Sequence, residues 1–222
     1  MDIAKVIDHT LLRPDAMAGD IRRLCEETAQ YRFASACVAS CWVSLAREEL
    51  DRTGARDIPV CSVVGFPFGS ASIVAKVEEA RTAVVDGAGE IDMVINVGFL
   101  RSGLWEQVAG EIEEVVDASC GAAVKVIIET CYLTDDQKIA AARYVRGAGA
   151  DFVKTSTGYG PAGARLEDVT LLAREVSGIL IKASGGIRTY EQARAFLEAG
   201  ASRIGTSAGP AIIAGEQSAS KR

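Results

Sequence analysis

The fold is decided by residues 150–158, ADFVKTSTG, where a short apolar run ends in a lysine and a turn of small hydroxyl residues and glycine follows. Residues 179–186, ILIKASGG, have the same form 28 positions later, and residues 123–129, AVKVIIE, resemble it 29 positions earlier. Each segment places a lysine in an apolar run of strand type, although an unpaired ammonium is expensive to desolvate. Three such lysines at nearly equal spacing are not the pattern of a solvated face.

Strand and helix patterns alternate along the whole chain. Apolar segments of strand type are centred near residues 36, 62, 92, 126, 153, 181 and 204, and a very short first strand near residues 6–10 brings the count to eight. Several predicted helix-to-strand junctions share a glycine, which suits the left-handed end of a helix. We therefore predict a single-domain (β/α)8 TIM barrel over residues 1–222, with residues 216–222 as a flexible tail. An open seven-stranded sheet is the alternative, because the first strand is so short.

Composition narrows the possible functions. The formal net charge of −6 gives no support for nucleic-acid binding, and no apolar run approaches the ~18 residues that span a membrane. The six cysteines form no paired CxxC cluster, which predicts reduced thiols in a cytoplasmic protein. His9 is the single histidine, so a His-rich metal site is excluded.

Lysines and carboxylates gather at the carboxyl ends of the predicted strands, where barrels of this kind form their active sites. Neighbouring lysines repel one another's protons and burial disfavours the charged amine, so the pKa of one lysine should fall from its free value of ~10.4. A neutral amine can attack a carbonyl and form a Schiff base. We predict that Lys154 is the nucleophile, Lys182 its electrostatic tuner and Asp92 the proton carrier. The alternative is a structural network in which the lysines and aspartates only pair with one another.

A second cluster is rich in glycine. Gly158 follows the sixth predicted strand, residues 184–186 follow the seventh and residues 205–207 follow the eighth. Backbone N–H groups in these loops, with a short helix after the last strand, predict a phosphate-binding site. The alternative is that these glycines serve only as turns that lead into helices.

Other candidates carry weaker signals. His9 is more typical of a packed, hydrogen-bonded residue than of a general base. Cys37 has no second histidine to activate it and is more typical of a pocket-lining thiol. Arg188 opens a predicted helix, where it either contacts phosphate or is solvated. Trp42 and Trp105 lie on predicted helices and are more typical of packing residues.

Six motifs together resemble the deoxyribose-phosphate aldolase family. They are residues 7–12 (IDHTLL), 90–96 (EIDMVIN), 125–130 (KVIIET), 152–158 (FVKTSTG), 182–189 (KASGGIRT) and 203–207 (RIGTS). The resemblance covers nearly the whole chain and implies a (β/α)8 class I aldolase that uses no metal and no other cofactor. It implies reversible cleavage of 2-deoxy-D-ribose 5-phosphate to acetaldehyde and D-glyceraldehyde 3-phosphate, as part of deoxyribonucleoside catabolism. The implied partners are a small sugar phosphate and aldehydes, with further copies of the chain in a homo-oligomer.

The resemblance also implies roles by position. Lys154 matches the Schiff-base lysine, Lys182 the second lysine that tunes it, and Asp92 the proton-relay aspartate. The implied substrate-binding positions are Asp8, Thr10, Cys37, Lys125 and Thr155. The implied phosphate-binding positions are Gly158, Gly185, Gly186, Gly205 and Ser207.

The chain departs from the family pattern in places that leave the reaction class intact. Tyr159 stands where some members carry lysine or phenylalanine, and Ala208 stands where a second serine is common. Cys37 is not followed by the usual Asn-Pro, and the tail has no tyrosine. Two other functions are a transaldolase-like transferase, which the pairing of Asp92 with Lys182 disfavours, and a sugar-phosphate sensor, which the retained lysines disfavour.

Overall fold

The computed structural model describes residues 2–219 and shows eight parallel strands that close into a barrel in sequence order. The first strand pairs with both the second and the eighth, so the predicted (β/α)8 barrel is confirmed and the open sheet is excluded. The strands are β1 Ile7–Leu11, β2 Ser35–Val38, β3 Val60–Val64, β4 Ala88–Val94, β5 Ala123–Ile127, β6 Phe152–Lys154, β7 Leu180–Ser184 and β8 Arg203–Thr206.

Helices follow the strands and cover the outside of the barrel. They are α1 Ala18–Tyr31, α2 Val43–Arg52, α3 Ile73–Val85, α4 Val97–Arg101, α5 Trp105–Ala118, α6 Asp135–Gly147, α7 Leu166–Glu175, α8 Tyr190–Glu198 and α9 Gly209–Ala219. Short 3-10 helices span Ile3–Val6, Ser40–Trp42 and Thr130–Tyr132. Helix α6 begins after Thr134, which forms a capping box with Gln137.

Two features differ from the sequence prediction. The five-residue helix α4 was not predicted; the Asn96 side chain begins it by accepting a hydrogen bond from the backbone N–H of Phe99 at 3.0 Å. Residues 216–219 of the predicted tail continue α9 beyond its buried residues Ile212 and Ile213, and their flexibility stays a prediction. Residues 220–222 lie outside the described residues.

Glycine ends the helices at the predicted junctions. Gly87, Gly149 and Gly200 have φ values of 106°, 83° and 112°, a region that side chains with a Cβ rarely adopt. No helix within residues 2–219 is both long and apolar enough to cross a membrane.

The apolar core lies between the strands and the helices. Outward-facing strand residues such as Ile91, Met93 and Val153 are fully buried there, as expected for a parallel sheet that is covered by helices. The barrel interior is different, because side chains from several strands meet there as ion pairs. Barrel interiors are normally filled by branched apolar side chains, so this polar interior calls for a functional explanation.

One buried ion pair outside the barrel fixes the end of β4. Lys76 on α3 lies 2.5 Å from Glu111 on α5 and donates to the carbonyl of Val94 at 2.7 Å. Glu111 also accepts from the backbone N–H of Asn96 at 2.9 Å. These contacts hold the chain just beyond Asp92.

Candidate active site

Asp92 on β4 is the centre of the polar interior. Its Oδ2 accepts hydrogen bonds from Lys154 Nζ on β6 at 2.7 Å and from Lys182 Nζ on β7 at 2.6 Å. Its Oδ1 accepts from Lys125 Nζ on β5 at 2.9 Å. The structure thus brings together the predicted nucleophile, tuner and proton carrier, and adds the third lysine to the same carboxylate.

A second carboxylate supports the cluster from β1. Asp8 Oδ2 lies 2.5 Å from Lys182 Nζ and 3.9 Å from Lys125 Nζ. Its Oδ1 accepts from the hydroxyl of Ser35 at 2.8 Å and lies 2.5 Å from Nη1 of Arg203. Lys182 is therefore held between two carboxylates.

The charges of these buried groups stabilise one another. Burial alone would raise the pKa of Asp92, but the ammonium groups of Lys125, Lys154 and Lys182 outweigh it and hold that pKa well below its usual range. Burial alone would lower the pKa of Lys182, but Asp8 and Asp92 outweigh it and raise that pKa above the usual value. The pKa of Lys125 is raised in the same way, against burial and chiefly by Asp92. These two lysines are therefore charged at neutral pH.

Two thiols lie beside Asp92. Cys37 and Cys61 are paired neighbours on β2 and β3, and the thiol of Cys61 donates to Asp92 Oδ1 at 3.1 Å. The two sulfurs and one Asp92 oxygen lie within 4.8 Å of one another, a grouping that could hold a metal ion. The donor set does not fit one, because ammonium groups already occupy both oxygens of Asp92 and Lys125 Nζ lies 3.5 Å from the Cys61 sulfur.

A cavity of about 310 Å³ opens above the cluster at the carboxyl ends of the strands. Lys154 is the one lysine that lines it among residues 2–219. The cavity therefore gives a small molecule access to the Lys154 amine, while Lys182 and Asp92 stay beneath the surface. The predicted positions that line it are Thr10, Lys154, Gly158, Gly185, Gly186, Gly205 and Ser207.

Four of the expected substrate-binding positions lie elsewhere. Asp8, Cys37, Lys125 and Thr155 are fully buried and do not line the cavity. Asp8 and Lys125 contact the other charged groups below it, and Thr155 joins β6 to β7 by accepting from the N–H of Ser184 at 3.2 Å. Asp8 and Lys125 therefore belong to the charged cluster beneath the cavity, and a substrate-binding role for the four positions stays a prediction.

The glycine loops form one wall of the cavity. Gly158, Gly185 and Gly186 have φ values of 86°, 95° and 84°, so their backbone conformations favour glycine. Gly205 is needed for close packing, because a Cβ there would lie 2.9 Å from Ser184 Cβ and 3.1 Å from Lys182 Cε. The loops that the sequence predicted to bind phosphate therefore converge beside Lys154.

A family model described as DeoC/LacD family aldolase matches residues 3–215. The chain belongs to this family. It is 65% identical over 214 residues to the deoxyribose-phosphate aldolase of Methanocella arvoryzae, covering 96% of this chain and 95% of that protein. It is 54% identical over 222 residues to the enzyme of the same name from Thermococcus gammatolerans, and the match covers 99% of this chain and 98% of that protein. A solved structure described as a unique tetrameric deoxyribose phosphate aldolase from Aeropyrum pernix superimposes with a TM-score of 0.90 at 35% identity, covering 98% of this chain and 92% of that one.

In this DeoC/LacD family member, Tyr159 closes one side of the cavity. Its hydroxyl donates to the carbonyl of Leu12 at 2.8 Å, which joins the loop after β6 to the loop after β1. Its ring packs edge-to-face on Phe66 with the centroids 5.3 Å apart. In the sequence Tyr159 is only a departure from the family pattern, because a contact with a residue 147 positions away leaves no local signal.

Two arginines also line the cavity of this aldolase fold. Arg188 follows the glycine loop after β7, where the sequence left phosphate contact and solvation open. The sequence does not predict Arg13, because it lies two residues beyond β1 and outside the strand ends where the active site is expected. Arg13 is also paired with Asp15 at 2.8 Å and with Asp20, so its charge is shared with two carboxylates.

The remaining aromatic candidates pack as predicted. His9 is buried, and its Nε2 lies 2.8 Å from a carboxylate oxygen of Glu27. Trp42 packs against the apolar core, and Trp105 stacks on Tyr144 with the centroids 5.4 Å apart. None of the three lines the cavity above Lys154.

Proposed function

We propose that this chain is a deoxyribose-phosphate aldolase that cleaves 2-deoxy-D-ribose 5-phosphate reversibly to acetaldehyde and D-glyceraldehyde 3-phosphate through a Schiff base on Lys154, without a metal ion. The observation that carries the proposal is that Lys154 reaches the cavity while its Nζ shares Asp92 Oδ2 with Lys182. The names of the relatives support the same activity.

The chemistry begins with the neutral amine of Lys154, which attacks the carbonyl carbon of the open-chain sugar. Loss of water gives an iminium ion, which withdraws electrons from the neighbouring C2–C3 bond. The proton of the C3 hydroxyl leaves through Asp92, the C2–C3 bond breaks, and its electron pair forms an enamine on Lys154. Protonation of the enamine and hydrolysis release acetaldehyde and restore the amine.

Asp92 and Lys182 are well placed for the proton transfers in these reaction steps. Asp92 Oδ2 lies 2.7 Å from the nitrogen that forms the Schiff base, which is within reach for a proton acceptor. Lys182 donates to the same oxygen and keeps its own charge because it is paired with Asp8. It therefore stabilises the Asp92 carboxylate each time Asp92 gives up a proton. The glycine loops and Ser207 would hold the phosphate at the other side of the cavity.

We also propose a homo-oligomer and a cytoplasmic location. The tetrameric description of the Aeropyrum pernix structure supports the first. The second is supported by the six cysteines, which lie within the described residues and are all free thiols.

The proposal is tested by incubating the protein with acetaldehyde and borohydride and mapping the reduced adduct by peptide mass spectrometry. We expect an ethyl group on Lys154, together with turnover of 2-deoxy-D-ribose 5-phosphate. An adduct with transfer to other acceptor aldehydes but no cleavage would identify a transaldolase-like transferase. Binding of the sugar phosphate with neither adduct nor turnover would identify a sensor.

Glu129 supports the loop that carries Gly158, and its loss should weaken substrate binding. It has a left-handed backbone (φ 51°), and its carboxylate accepts from the backbone N–H of Thr157 at 3.2 Å and from the Thr157 hydroxyl. Hydrogen bonds to a charged group contribute about 1.5–3 kcal/mol each, so Glu129→Ala should raise KM by about 10-fold or more. Steady-state kinetics with 2-deoxy-D-ribose 5-phosphate measures this effect. Glu129→Gln keeps an acceptor and should recover part of the loss; equal KM values for all three proteins would contradict the role.

A further inference from the structure

The buried ion cluster extends well below the cavity and contains more positive than negative groups. Arg203 is the first residue of β8, and Glu90 precedes Asp92 by two positions on β4. Both therefore lie toward the amino-terminal ends of the strands, and neither lines the cavity. The four cations are Lys125, Lys154, Lys182 and Arg203, and the three carboxylates are Asp8, Glu90 and Asp92.

Arg203 and Glu90 are connected to the lysines by short contacts. Arg203 Nη1 lies 2.5 Å from Asp8 Oδ1, and Arg203 Nη2 lies 3.3 Å from Glu90 Oε1. The other oxygen of Glu90 lies 2.7 Å from Lys125 Nζ. The pair is shielded from water, with side-chain exposures of 17% for Arg203 and 8% for Glu90. Its charges are therefore screened far less than those of a surface pair.

Lys154 joins this cluster through Asp92, and every other strand contributes a group to the cluster. Charged groups are contributed by β1, β4, β5, β7 and β8, and β2 and β3 contribute the thiols of Cys37 and Cys61. Burial alone would lower the pKa of Arg203, but Asp8 and Glu90 outweigh it and raise that pKa, so the guanidinium stays charged. A buried cluster with one unbalanced charge is costly. The cluster is balanced when Lys154 is a neutral amine and carries one excess positive charge when Lys154 is protonated.

We infer that Arg203 and Glu90 are positioning residues that set the protonation state of Lys154 from the opposite end of the barrel. Arg203 supplies the charge that drives the proton off Lys154, and Glu90 limits that effect. The inference rests on the proposed function, in which only the neutral amine forms the Schiff base. It explains why an arginine lies in the barrel interior at a distance from the cavity.

Two single variants should move the acid limb of the kcat/KM profile in opposite directions. Arg203→Met leaves three cations and three carboxylates with Lys154 protonated, so the proton is held and the limb moves up by about one pH unit. Glu90→Gln leaves an excess of two positive charges, so the limb moves down by a similar amount. The double variant restores the excess of one and should return the limb to the wild-type position. The pH dependence of kcat/KM reports the groups of the free enzyme, as this test requires.

Controls separate charge from structural damage. Arg203→Lys keeps the charge and should keep the wild-type limb. Arg194→Met and Glu198→Gln make the same changes in an exposed ion pair on α8 and should leave the limb unmoved. The inference would be overturned if the acid limb of the kcat/KM profile stayed in place in both Arg203→Met and Glu90→Gln, or moved in the same direction in both. Because Glu90→Gln is isosteric, the inference stays falsifiable if Arg203→Met does not fold.

A second readout does not depend on turnover. Brief labelling with acetic anhydride over a range of pH, followed by peptide mass spectrometry, measures the neutral fraction of the Lys154 amine directly. Shifts of this labelling in opposite directions, without turnover in the wild type, would support the inference and overturn the proposed function. Turnover in the wild type without such shifts would overturn the inference alone.

Discussion

Lys154→Leu should lose both the acetaldehyde adduct and the cleavage of 2-deoxy-D-ribose 5-phosphate, with turnover falling at least ~10⁴-fold. The reason is that Lys154 is the one lysine among the described residues whose side chain lines the cavity. Lys125 and Lys182 are fully buried and bound to carboxylates, so neither can replace it as the nucleophile. Borohydride trapping with peptide mapping measures the adduct, and a coupled assay measures acetaldehyde release.

The variant should remain folded, which makes the loss of activity interpretable. Removing Lys154 leaves three cations and three carboxylates, so the buried cluster keeps its charge balance. Lys5→Leu removes an exposed lysine and should match the wild type in both assays. Lys182→Leu should form less adduct on Lys154, because it removes the charge that opposes protonation of that amine. An adduct that survives in Lys154→Leu on another lysine would contradict the assignment of the nucleophile.

The barrel was predictable because its signals are local. The strands predicted near residues 62 and 153 are observed as β3 and β6, since each is a short apolar run between turn residues. Helix α4 was missed because five residues carry too little periodicity. The Lys76–Glu111 pair was missed because its members are 35 positions apart on two helices and nothing in either segment marks the other.

The active site was predicted only in part, because some of its signals are local and others depend on contacts between residues that are distant in sequence. Lys154, Lys182 and Asp92 were found because period-two alternation places them on the inner faces of apolar strands. The expectation that Asp8 and Lys125 bind substrate was carried over by resemblance, whereas their depth below the cavity depends on strand register and barrel tilt. The supporting contacts of Arg203 and Glu90 are not predictable from the sequence, because both residues lie away from the carboxyl ends of the strands and pair with residues that are distant in sequence.

Asp92→Asn should separate Schiff-base formation from bond cleavage. The amide keeps the size of the carboxylate but can no longer take up a proton, so turnover should fall by about 10²–10⁴-fold. The adduct on Lys154 should still form, because the cluster then carries more excess positive charge and disfavours the protonated amine. Parallel trapping and turnover assays measure the two steps. Loss of the adduct to the same degree as turnover would contradict a proton-transfer role for Asp92.

The same variant should be less stable in a way that depends on pH. Asp92 is the shared counter-charge of three ammonium groups, so its removal should lower the free energy of unfolding at pH 7 by about 3–5 kcal/mol. The pKa of Asp92 is lowered in the folded state, so its contribution is fully present above the unfolded value of about 3.9 and is lost as pH falls below it. The difference between wild type and variant should therefore be largest near neutral pH and shrink below about pH 4. Denaturant unfolding at several pH values measures it, with Asp57→Asn in an exposed ion pair as the matched control. A difference that is the same at pH 3 and pH 7 would mean that Asp92 stabilises the barrel by packing and not by its charge.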